Sequence, residues 1–239
     1  MLGRLPSAID PRTLQLSNYL RTDLEIASEP VPTGRRWDTK ISDWGVMGND
    51  TYGNCTIVTA AHALLCWRTN ELDATQRITD SAVIELSRTM GAINGFSILE
   101  RLKWWRKRGM WGDRLWAFAA VNPTNIDLIR LTINTFGCAD IGLNLPRAWQ
   151  SANLWDVGGG RAYEPGSWGG HSVPLVGYDE KFVYAVSWGS IVPMTWKAIP
   201  VYCDEAYALI DPNWIAADSI APSGVDLTAL HTDLMALQT

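Results

Sequence analysis

Asn49-Asp50-Thr51-Tyr52-Gly53-Asn54-Cys55 puts a single cysteine at the head of a helix-forming run, residues 55–70. Gly170-His171-Ser172-Val173-Pro174-Leu175-Val176-Gly177-Tyr178 puts a histidine at the head of a strand-forming run more than a hundred residues later. A thiol becomes an effective nucleophile near neutral pH when a helix N-terminus and an imidazole both stabilise its thiolate. The order, nucleophile first and a distant base second, suits a hydrolase whose two halves come from different parts of the chain.

Composition narrows the setting. The 239 residues suffice for one large domain or two small lobes around a shared cleft. A net charge of -5 disfavours a polyanionic partner, so nucleic acid binding is not expected. No apolar run is long enough to span a bilayer, and residues 1–20 carry no apolar secretory core behind a basic start. A cytoplasmic chain without membrane partners is therefore expected. Cys55, Cys66, Cys138 and Cys203 have neither paired nor metal-like spacing, which predicts free thiols in a reducing compartment. His62, His171 and His231 are scattered, so no metal site is expected, and nothing requires a cofactor. Thirteen tryptophans read chiefly as core packing; the other reading is a carbohydrate platform using Trp111 or Trp168.

Three regions follow from patterning. Residues 1–36 hold Pro6, Pro11, Pro30 and Pro32 among isolated apolar side chains and read as an extended arm. Residues 37–217 form the main domain. Helices are predicted over 55–70, 80–90, 98–108 and 124–136, with Asp80 and Thr124 as N-caps and Gly109 and Gly137 as stops. Short apolar strands follow over 139–145, 171–178, 182–188 and 206–210. Helices first and strands afterwards predict an α+β fold with a helical lobe and an antiparallel β lobe. In the tail, residues 218–239, Leu227, Leu230, Leu234 and Leu237 share one helix face, for docking on the domain itself or on a partner.

With these residues in place, the chain resembles the papain-like (C1) cysteine peptidases from about Trp37 to Ile210. Trp37-Asp38 is similar to the Asp-Trp pair near the start of the mature enzymes, and Gly53-Asn54-Cys55 stands for Gly-Ser-Cys. Asn49 falls where the family places its oxyanion-hole glutamine. Asn94-Gly95-Phe96 resembles the Asn-Gly-Gly loop lining the substrate cleft, 171–178 the histidine strand, and Ser187-Trp188-Gly189 the end of Asn-Ser-Trp-Gly. A looser similarity, Trp44 to Asp50, is to bacterial and phage-encoded proteins with a Trp-Gly-x-Met-x-Asn-Asp segment.

The resemblance implies a papain-like two-lobed fold and a cysteine hydrolase acting on a peptide or another amide. Cys55 would be nucleophile, His171 base, Asn49 oxyanion donor, with Asn94, Gly95, Phe96, Gly170 and Trp188 at the substrate. The family's imidazole-orienting asparagine aligns with Val186, which accepts no hydrogen bond; Ser187 replaces it if the register shifts by one. Phe96 stands where a second glycine would admit substrate backbone. Tyr52 and Ile93 occupy the positions of a family disulfide. The family's long inhibitory propeptide has no counterpart in residues 1–36. These departures support the alternative of a weakly active or inactive papain-fold component. Such a component would bind a homo-oligomer or particle partner through arm and tail, in a virion if the chain is phage-encoded.

Overall fold

The first helix begins at Cys55 itself. A computed structural model describes residues 2–20, 31–217 and 225–236. Its elements are β1 (Arg35–Arg36), α1 (Cys55–Leu72), α2 (Asp80–Thr89), α3 (Ile98–Arg108), β2 (Ala117–Val121), α4 (Ile126–Phe136), β3 (Ala139–Leu145), β4 (Gly169–Tyr178), β5 (Phe182–Ser187), β6 (Ser190–Thr195), α5 (Ile199–Tyr202), β7 (Cys203–Ile210), α6 (Pro212–Ala217) and α7 (Leu227–Ala236).

Helix α1 is apolar on every side, and almost all of it is buried, as expected of a helix threaded through a core. Asp73, in the left-handed region at φ 51°, ends it and donates its N–H to the Arg68 carbonyl. The caps sit one residue from the expected ones. The Thr79 hydroxyl, not Asp80, accepts from the Ala82 N–H, and the Asn125 amide, not Thr124, accepts from the Leu128 N–H. Both side chains lie in extended backbone just before the first helical turn, where an oxygen reaches the free amides. Gly109 and Gly137 terminate α3 and α4 at φ 79° and 76°.

The sheet runs β2-β7-β3-β4-β5-β6, antiparallel throughout, with β1 added on β4. Strand β2 was not expected in the helical half. Residues 117–121 alternate buried and half-buried positions and pair along their whole length with β7. Its period-2 pattern is only five residues long, and pairing with a strand some ninety positions later decides it. Segregation into lobes is thus incomplete, but the α+β class and the two lobes stand.

Two apolar clusters flank the sheet. One gathers Ile141, Leu143, Val173, Leu175 and Phe136. The other packs Ile57, Leu64, Trp67 and Trp105 against Val176, Val186 and Leu209. Helix α1 thereby lies along β4. Within the tail, Leu230 is buried in the sheet-side cluster, and the Tyr19 hydroxyl of the arm donates to Asp233 at 2.8 Å. The side chains of Leu227 and Leu234, and residue 237, lie outside the described part.

Candidate active site

Cys55 occupies the first turn of α1, and the backbone N–H groups of Ser172, Gly3 and Thr56 point at its sulfur. The Ser172 amide puts that sulfur beside β4 at the residue following His171. The His171 ring stacks on Trp188 at 4.4 Å between centroids and 9° between planes. Trp188 in turn stacks on Trp168 at 5.3 Å. It reaches that position from a backbone φ of 47°, in the turn between β5 and β6.

Ser187 Oγ lies 2.9 Å from His171 Nε2. Val186 points the other way, into the helical-side cluster. Alternate residues of a strand face opposite sides, so the one-residue shift hands the imidazole to Ser187. His171 Nδ1 is buried without a hydrogen-bond partner among the described residues.

Beneath the site, Ser172 Oγ donates to Thr59 Oγ1 of α1 at 3.0 Å and lies 3.3 Å from Asp140 Oδ1 of β3. Asp140 pairs with Arg101 of α3, and both side chains are 0% exposed. This network ties the helix of Cys55 to the strand of His171. His62 is separate: its Nε2–H donates to the carbonyls of Trp44 and Gly45 at 3.1 and 3.0 Å.

Asn49 is buried in the loop before α1. Its Nδ2 donates to the Tyr52 carbonyl at 3.2 Å and to Asn54 Oδ1 at 3.4 Å. Asn94 is exposed at the rim, while Gly95 and Phe96 are half-buried. Trp111 and Trp168 are both half-buried, and Trp111 Nε1 is tied to the Ala82 carbonyl, so neither offers an open platform.

The arm supplies what the sequence reading missed. Residues 2–5 lie in the cleft across Cys55. Phe96 N–H donates to the Gly3 carbonyl at 2.8 Å, Leu5 N–H to the Phe96 carbonyl at 3.1 Å, and Arg4 N–H to the Gly170 carbonyl at 3.1 Å. Gly3 passes so close that a Cβ there would sit 1.8 Å from the Gly53 carbonyl oxygen. The Arg4 side chain drops between the walls. Its Nη1 donates to Glu205 Oε1 at 2.8 Å, and its Nη2 to Asn144 Oδ1 at 2.8 Å and Asp204 Oδ2 at 3.1 Å. No local signal marks these contacts, because the partners are 140 to 201 positions apart.

Burial sets the electrostatics. Cys55 is 1% exposed, and its thiol is pushed up by desolvation, against the pull of the Ser172, Gly3 and Thr56 amides and the charge of Arg4. Burial lowers His171 to about 3, and the positive charge of Arg4 acts in the same direction. In this closed state both groups are neutral. The depressed thiol pKa expected from a helix terminus and an imidazolium is absent, because burial removes the water that would solvate the charges. Among the described residues no group of three or more His, Cys, Asp or Glu is placed to hold a metal, and no helix is long and apolar enough to cross a membrane.

No protein-family model matches the sequence, and no curated protein matches it. Solved structures do match. Xylellain, a cysteine protease from Xylella fastidiosa, aligns over 88% of this chain and 96% of its own at 13% identity and a TM-score of 0.63. A procathepsin B from Trypanosoma congolense aligns over 89% and 86% at 11% identity and 0.62. The Carica candamarcensis cysteine protease CMS1MS2 aligns over 75% and 99% at 16% identity and 0.54. With the helix-borne Cys55, the strand-borne His171 and the cleft between two lobes, the chain has the papain-like cysteine protease fold.

Proposed function

We propose that the chain is a cysteine hydrolase cleaving an amide bond, with Cys55 as nucleophile and His171 as base and acid, closed in the present state by residues 2–5. The clamp on His171 carries this reading: Trp188 stacks on the ring and Ser187 engages Nε2, while Nδ1 is left without a hydrogen-bond partner among the described residues. A buried ring nitrogen held free of partners is costly as structure and useful as a proton acceptor.

When the arm leaves, water enters and the thiol proton passes to His171. The thiolate attacks the carbonyl carbon, and the resulting oxyanion accepts from the N–H of Cys55, which as a first-turn amide has no intrahelical acceptor. Asn49 is the second proposed donor; its amide must first leave Tyr52 and Asn54. The imidazolium then protonates the leaving nitrogen, and water cleaves the thioester with His171 as base. Asn94, Gly95, Phe96, Gly170 and Trp188 line the substrate's path. Buried free thiols at Cys66, Cys138 and Cys203 accord with a reducing, cytoplasmic setting.

The covered, neutral Cys55 favours a second reading, a papain-fold component of an assembly with no catalysis. Iodoacetamide labelling separates the two. In Gly3→Ala, whose Cβ cannot be accommodated against Gly53, Cys55 should be alkylated at least about tenfold faster than Cys66, Cys138 or Cys203, with a pH midpoint below about 8.5, the ordinary thiol value. Equally slow labelling of all four thiols removes the hydrolase reading.

A further inference from the structure

His62 lies two turns beyond Cys55 on the same face of α1 and is buried. Its Nε2–H is shared between the Trp44 and Gly45 carbonyls, and its ring meets the Trp44 indole edge-on at 5.6 Å between centroids. No backbone N–H among the described residues donates to either carbonyl. The loop takes a left-handed course at Gly45, Met47 and Gly48, with φ 71°, 55° and 80°, and no helix or strand ladder serves it. A methionine in that region is strained and persists only where its surroundings over-determine it. The buried imidazole is one of the contacts that do so.

The same loop touches both halves of the candidate site. Toward the head of α1, Asn54 donates its Nδ2 to the Met47 carbonyl at 3.1 Å, and the Asn49 N–H donates to the Val46 carbonyl at 3.0 Å. On the other side the loop seats the turn between β5 and β6. A Cβ on Gly189 would lie 3.0 Å from the Gly45 carbonyl carbon and 3.2 Å from its oxygen, so the turn rests on the very carbonyl that His62 holds. Trp188, the residue before Gly189, is the one stacked on the His171 ring. A side chain without a donor at position 62 would leave both carbonyls unpaired, and they would turn toward other donors or water, moving that seat.

We propose that His62 is a positioning residue of the candidate site: by holding the Trp44 and Gly45 carbonyls it fixes the seat of the Trp188–Gly189 turn, and with it the stacking of Trp188 on His171. The role takes its chemical meaning from the cysteine hydrolase reading, but the geometry it fixes is measured without catalysis. One helix thereby carries the nucleophile and, two turns on, the anchor for the group that orients the base.

The test is an aromatic proton–carbon spectrum of the full chain labelled with ¹³C-histidine, the His171 signals being assigned by their loss in His171→Ala. An indole stacked on the imidazole displaces the His171 ring protons upfield. In His62→Leu most of that displacement should be lost, whereas His62→Gln, which keeps a side-chain N–H, should retain it. Where near-UV circular dichroism shows that His62→Leu does not fold, His62→Phe keeps a ring against Trp44 without a donor and makes the same comparison. Unchanged His171 signals in a folded donor-free variant overturn the proposal, as does a loss in His62→Gln equal to that in His62→Leu. Failure of both donor-free variants to fold while His62→Gln folds makes His62 a residue of the fold alone and overturns it too. Cys55 alkylation, measured in Gly3→Ala with and without His62→Leu, keeps the two readings apart. Displaced His171 signals with an inert Cys55 retain the positioning role and remove the hydrolase; a reactive Cys55 with His171 signals indifferent to His62→Leu does the reverse.

Discussion

His62 shows how little a residue type decides without its surroundings. It shares a helix with Cys55, yet seven residues of helix, about 10 Å, put it out of reach of the sulfur, and its Nε2 is spent on two carbonyls. Burial lowers it from 6.5 to about 4. The unfolded chain therefore takes up a proton below pH 6.5 that the folded chain refuses until about pH 4. His62 stabilises the fold fully above pH 6.5, and this contribution is lost as the pH falls through that window, by up to about 1.4 kcal/mol per pH unit. His171 acts in the same sense, down to about 3. Urea unfolding between pH 4.5 and 7 should show a steeper loss of stability for the native chain than for His62→Gln; equal slopes would contradict the assignment. Ser187 illustrates the converse. One position of strand register makes it, rather than Val186, the partner of the catalytic candidate, and no property of serine itself announces this.

Among elements, the contact that matters is α1 against β4. It brings the head of one element to the head of the other, and Thr59, Ser172, Asp140 and Arg101 lock it from below. Arg101 is wholly buried and burial lowers its pKa to about 9; its Nε and Nη1 have no partners among the described residues. Asp140 is thus its principal compensation. Asp140→Ala would strand that cation, and a loss of about 3–5 kcal/mol in chemical denaturation is expected, as for other broken buried pairs. A double variant, Arg101→Met with Asp140→Leu, should recover most of it, since an apolar pair of similar volume removes the stranded charge.

For the molecule as a whole, residues 2–5 of the arm lie across the cleft rather than within a lobe core. These four residues contribute a few backbone hydrogen bonds and one buried side chain, that of Arg4, whereas Cys66, Cys138 and Cys203 sit within the lobes. Local opening should therefore precede global unfolding. In urea well below the unfolding midpoint, Cys55 should be alkylated first, with the other three thiols protected until the cooperative transition. Simultaneous labelling of all four would mean that the arm is integral to the global fold. Tyr19, Asp226 and Asp233 tie the C-terminal helix to the arm, so the two chain ends form one strap rather than two independent contacts.

The sequence by itself determined the class, the order and extent of the main helices, the strands that carry the sheet, and the two candidate site residues, Cys55 and His171. These are legible because helix and strand periods, caps and stops are local, and because Gly-Asn-Cys and Gly-His-Ser each sit at the head of an element. Only the tertiary structure decided the rest. Strand β2 exists through its pairing with β7, and Ser187 meets His171 through register. The arm, read as lacking any restraint on the site, lies across Cys55 because Gly3 can approach Gly53 and Arg4 can reach Glu205 some two hundred positions away. Contacts at that separation leave no period in the chain. They arise where folding brings a charge, a glycine and a cleft to one place, and there they cover the candidate nucleophile Cys55.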